Sequence, residues 1–104
     1  MKLEIRTERA QFLVSKGPEP RADGEGRQKA DRGTGELLYA TELVAMDETG
    51  AEVVRVTTAG APKIATGQWV TVIGLVATPW QMDGRSGVAF RAQAINPVKH
   101  QAGA

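Results

Sequence analysis

The stretch "GQWVTVIGLVATPWQMDGRSGVAFRAQAI", residues 67–95, decides how the rest of the chain is read. It opens on a run of β-branched and apolar residues from Trp69 to Thr78 and closes on another from Val88 to Ile95. Between them, "PWQMDGRSG" offers Asp83-Gly84 and Ser86-Gly87, dipeptides that suit the positive-φ positions of tight turns. The pattern predicts a β-hairpin. Side chains alternate along a strand, so Val70, Val72 and Gly74 share one face and Trp69, Thr71 and Ile73 the other. Putting the valines in a core, with Gly74 allowing a sharp bend or a close approach, turns Trp69 outward. In the returning strand the same alternation puts Val88, Phe90 and Ala92 inside and Ala89, Arg91 and Gln93 outside. An indole and a guanidinium are then expected on the outer side of one sheet.

A chain of 104 residues makes one domain, with room for a real core but not for two. Hydrophobic residues make up 41% and charged residues 24%, so the chain folds around a modest core. It has no cysteine, which excludes a disulfide framework or a thiolate metal site and suits a reducing cytoplasm. The opening "MKLEIRTERA" lacks an apolar signal region, and no later run approaches the roughly 18 apolar residues of a membrane span. A cytoplasmic protein without a membrane partner is expected. Net charge is only +1, but residues 1–54 carry eight bases and eleven acids, whereas residues 55–104 carry five bases and one acid. The half with the tryptophans is therefore the one that attracts phosphates.

Upstream, "KLEIR" and "AQFLVSK" predict one long first strand, bent by a bulge near Glu8 to Ala10 because the apolar phase changes between Leu3/Ile5 and Phe12/Val14. Residues 17–36, "GPEPRADGEGRQKADRGTGE", hold five glycines and two prolines among many charges and have little apolar surface with which to order themselves. A second strand follows at 37–47 and a third at 52–58, joined by a hairpin loop at Asp47 to Gly50. The expected fold is all-β: a small five-stranded Greek-key barrel of the OB type, residues 1–96, with a flexible charged loop at 17–36 after its first strand and a disordered tail at 97–104.

The hairpin also resembles the last two barrel strands of bacterial single-stranded DNA-binding proteins, which follow G-x-x-V-x-V-x-G, a tryptophan, an acidic-Gly turn and a strand ending near Ile. The matching positions are Gly67, Val70, Val72, Gly74, Trp80, Asp83, Gly84 and Ile95, with Trp80 one residue nearer Gly74 than in the usual form. The layout over residues 28–95 is similar to small OB-fold accessory proteins of Gram-positive, including actinobacterial, conjugative and integrative elements. There the end reads G-R-x-G-x-x-[F/Y]-R-A, here Gly84, Arg85, Gly87, Phe90, Arg91 and Ala92. The resemblance implies sequence-tolerant binding of single-stranded DNA, or RNA, in replication or transfer of a mobile element, with a helicase or other replication protein as partner. The acidic tail tip that recruits partners in that family is not found in "NPVKHQAGA".

Such a protein holds a strand by stacking bases on aromatics and pairing phosphates with cations. The stacking candidates are Trp69, Trp80 and Tyr39; each could instead close the core or pack at its rim. Arg55, Lys63, Arg85 and Arg91 are candidates for phosphates, against the alternative of a solvated face salted by acids such as Glu42 and Glu52. Arg27, Lys29 and Arg32 could make the charged loop a flap, or the loop could be passive. "DRGTGE" lacks the Lys-Ser/Thr ending of a phosphate loop. No catalytic residue, metal site or cofactor is expected: the single histidine, His100, lies in the tail, and the carboxylates near the loop lack the burial that retunes a pKa. The other reading is a protein-protein adaptor that uses the same Trp-rich face as an interface hot spot. A homodimer is expected, because one barrel offers a short track for a strand, open edges invite pairing and a symmetric dimer would extend the groove.

Overall fold

In the computed structural model, which describes residues 2–23 and 25–98, the chain is all-β. Its strands are β1 (Leu3–Glu4), β2 (Gln11–Pro20), β3 (Leu38–Asp47), β4 (Gly50–Ala59), β5 (Trp69–Ile73), β6 (Val76–Met82), β7 (Arg85–Arg91) and β8 (Ala94–Pro97). They form one sheet in the order β1-β6-β7-β4-β3-β2-β5-β8. Every pair is antiparallel except β4 with β7. The sheet curls through 228° and its edges stand 14 Å apart. This corrects the expectation of a closed five-stranded Greek-key barrel of the OB type: the architecture is an open half-barrel of eight strands and mixed topology.

The strand count rises because three of the five expected strands break. The first leaves the sheet after Glu4, makes a turn in which the Ala10 amide donates to the Thr7 carbonyl at 3.1 Å, and returns at Gln11. The two strands of the hairpin break together, at Gly74-Leu75 and at Ala92-Gln93. Gly74 has φ +66°, and a Cβ there would lie 2.8 Å from Cγ of Gln93, so the corner needs both the left-handed backbone and the missing side chain. The break also changes phase. Before it Val70 and Val72 point into the core, as alternation predicts, and after it Leu75 and Ala77 do. Unbroken alternation would have put Trp80 in phase with the core valines; the shift turns it to the outer face.

The core gathers Phe12, Val14, Leu43, Val56, Val70, Val72, Leu75, Ala92 and Ile95 from five strands and the two bends, between β5 and β6 and between β7 and β8. The β3–β4 hairpin keeps unbroken register from Leu38↔Ala59 to Asp47↔Gly50. At its turn Asp47 Oδ1 accepts the Thr49 amide and hydroxyl, and those bonds hold its carboxyl below the usual carboxylate range. In the second hairpin Asp83 (φ 50°) and Gly84 (φ 77°) form the tight turn, while Ser86 and Gly87 lie inside β7 and take no part in it. Strand β7 meets β4 only at Val56↔Phe90 and Thr57↔Arg91. Beyond those pairs the β6–β7 hairpin projects as an arm, which leaves Val88 half exposed rather than inside.

Strand β2 runs through Pro20, with register shifts between Val14 and Lys16 and between Lys16 and Glu19 that accommodate Pro18. The segment from there to β3 takes its shape from polar groups. Asp23 Oδ1 accepts the amides of Glu25 and Arg27, Asp31 Oδ1 accepts those of Gly33 and Thr34, and bridges join Ala22 to Gln28 and Ala30 to Leu37. At the other end Pro97 closes β8 and the Val98 amide donates to the Trp69 carbonyl; the remainder of the expected tail, with His100, lies outside the described residues. Among the described residues no helix is long and apolar enough to cross a membrane.

Candidate nucleic-acid interface

The outer face of β3, β4, β7 and β6 forms a cleft of about 420 Å³. Its floor is shallow because the residues there are small: Ala40 stands opposite Thr57, with Ala89 beyond them. Trp80, on the projecting arm, makes one wall. Pro20, Arg21 and Ala22, where β2 ends, make the other, and Arg55 also lines the cleft. Arg21 is fixed there by a bond from Nη1 to Thr57 Oγ1 at 3.1 Å.

Trp80 is held by its cross-strand partner. It pairs with Gly87, and a Cβ at position 87 would lie 2.7 Å from the indole Cζ2, 2.9 Å from Cε2 and 3.1 Å from Nε1. The ring therefore lies over the Gly87 backbone, in space only a glycine leaves, while 44% of the residue stays exposed. Arg85 pairs with Met82, two positions from Trp80 along β6, and so shares its face near the arm's tip. Among the described residues neither Arg55 nor Arg85 forms an ion pair.

The remaining candidates separate. Arg91 is on the outer face beside Thr57, but its guanidinium pairs with Asp31. That hydrogen bond, then the Gly33 and Thr34 amides, hold the Asp31 carboxyl below its ordinary range. Arg27 pairs with Asp23 and Glu25, and Lys29 and Arg32 are exposed without an ion-pair partner among the described residues. Lys63 lines a different cavity, with Glu36 and Asn96. Tyr39 alternates with Ala40 and stands opposite Thr58, so it points away from the cleft. Trp69 faces outward as expected, but it lies in another place. It stands across from Leu13, which pairs with Val44, which pairs with Val53. With Val98 these side chains make an apolar row over five chain segments, in which Trp69 is 46% and Val53 64% exposed.

Sequence reading missed Arg21 and Gly87. Arg21 becomes visible once β2 is continued through Pro20, since it is then the residue that leaves the sheet. The Ser86-Gly87 dipeptide suits a turn, whereas the position of Gly87 opposite Trp80 is the informative one.

Comparison with protein-family models, with curated proteins and with solved structures gives no match.

Proposed function

We propose that the protein binds single-stranded DNA, with little sequence preference, across the cleft between the β6–β7 arm and the end of β2. The observation that carries this reading is the indole of Trp80 seated on Gly87 beside a shallow floor, with Arg55 and Arg85, which have no ion-pair partner among the described residues, on the same face. A base stacks on an aromatic at a gain of about 1–3 kcal/mol, and every base has a face to offer, so such a platform is tolerant of sequence. A duplex hides its base faces and gains nothing from Trp80. The resemblance of residues 67–95 to single-stranded DNA-binding proteins points the same way, and with it a cytoplasmic role in replication or transfer of a mobile element, beside a helicase or other replication protein. A homodimer would lengthen the short track. Titration of fluorescent oligo-dT and of a duplex of equal length, at two salt concentrations, tests the reading. It predicts tighter binding of the single strand, weakened by salt; equal affinity for the duplex, or no binding at low salt, refutes it.

A second reading has its own observation. The row of Val98, Trp69, Leu13, Val44 and Val53 is apolar and partly exposed on a sheet face, which suits an adaptor that docks a protein partner there. Such a contact would be little affected by salt.

A further inference from the structure

Asp31 belongs to the turn that precedes β3, yet it reaches the sheet. Its Oδ1 accepts the amides of Gly33 at 2.7 Å and Thr34 at 3.1 Å, and its Oδ2 pairs with Nη2 of Arg91 at the end of β7. The turn is closed on itself by the Asp31 amide bound to the Glu36 carbonyl and the Gly35 amide bound to the Asp31 carbonyl. Only 15% of the Asp31 side chain is exposed, against 52% for Arg91. Arg91 is paired with Thr57, a residue of the cleft floor whose hydroxyl receives Arg21, and itself lines the adjoining cavity with Thr78 and Gln93 on the same outer face. Of the basic side chains proposed for phosphate contact on that face, Arg91 is the one whose fork is taken by an acid.

A carboxylate and a phosphate present the same kind of acceptor to a guanidinium. Resting on the reading of the cleft as a single-strand site, we propose that Asp31 occupies the place of a backbone phosphate at Arg91. In the free protein the carboxylate holds the 30–37 turn against the sheet. An arriving strand substitutes a phosphate for it, and the turn is released. Asp31 then sets the affinity of the cleft: each binding event must break one ion pair to make another.

Asp31→Asn separates this role from folding, because the amide oxygen of Asn still accepts the Gly33 and Thr34 amides while the charge that holds Arg91 is lost. An ion pair open to solvent on its arginine side is weak, so the variant should bind oligo-dT about two- to fivefold more tightly than wild type, with a log–log salt slope steeper by about 0.7, one added phosphate contact. Glu48→Gln, on the distant β3–β4 turn, makes the same change in net charge and should leave affinity within the error of the titration. In an Arg91→Ala background Asp31→Asn should have no effect. A wild-type protein that binds while Asp31→Asn binds no tighter, or a gain that persists without Arg91, would overturn the proposal alone. A wild-type protein that binds no strand at low salt would remove the cleft reading itself, and this proposal with it.

Discussion

Replacing Gly87 by alanine tests the platform without touching an aromatic or a charge. Gly87 is not among the residues with left-handed φ, so the backbone accepts alanine, and a glycine lost from a strand interior by itself favours folding. The new Cβ, however, would fall 2.7 Å from Cζ2 of Trp80, where ordinary contact begins at 3.4 Å. The ring must therefore move off by at least about 0.7 Å, and on a close-packed potential it swings rather than compresses. If a base stacks on that ring, the loss should approach the worth of one stack, about 1–3 kcal/mol or about 5- to 150-fold in Kd. The assay is anisotropy of labelled oligo-dT with wild type, Gly87→Ala, Trp80→Ala and the double variant. A Trp69→Phe background leaves Trp80 as the only tryptophan, whose emission, excited selectively over Tyr39, reports its displacement directly. Gly87→Ala should lose nearly as much as Trp80→Ala, and the double variant no more than either. Wild-type affinity in a Gly87→Ala protein whose Trp80 emission has shifted would rule out stacking on Trp80, because the ring would have moved without consequence.

Thr41 is fully buried and its hydroxyl has no partner among the described residues, so Thr41→Val should stabilise the fold by about 1 kcal/mol and raise Tm by about 4 °C or more in a thermal melt. Arg55→Ala and Arg85→Ala should each weaken oligo-dT binding and flatten the salt slope by about 0.7, whereas Lys63→Ala, which lines a separate cavity, should do neither. Asp31 titrates below its ordinary range because Arg91 and two amides favour its charged form, so its contribution to stability is complete above that range. The contribution fades as pH falls through the folded value, and the protection of the Gly33 to Leu38 amides, measured against their intrinsic exchange rates, should fall there in wild type but not in Asp31→Asn, whose charged tie to Arg91 is already lost.

Alternation and turn chemistry made much of this fold legible. Val70 and Val72 point inward, Trp69 outward, Asp83-Gly84 makes the tight turn, and the β3–β4 hairpin lies where its apolar runs and the "DETG" turn predict. The break at Gly74 was only half legible: a glycine announces that a bend is possible, but the phase change depends on the Gln93 side chain from the opposite strand. The count of strands and the open edges escaped because both depend on where ladders stop, and a ladder stops where its partner turns away. The charged segment offers few apolar residues to order it, and its turns are built instead by Asp23 and Asp31 accepting amides a few positions on. In the candidate site, Trp80, Arg55 and Arg85 were named from the sequence and share one face. Tyr39, Trp69 and Lys63 do not join them, since strand phase and distance around the curl separate residues that composition treats alike.

Indole N–H signals offer the most direct measurement. The chain has two tryptophans, so a nitrogen-15 spectrum carries one such signal from each wall of the question: Trp80 in the cleft and Trp69 in the apolar row. On titration with oligo-dT, binding across the cleft should shift the Trp80 indole together with the amides of Gly87, Ala40 and Thr57, while the Trp69 indole stays in place. Shifts centred on Trp69, Leu13 and Val44, with Trp80 unmoved, would contradict it.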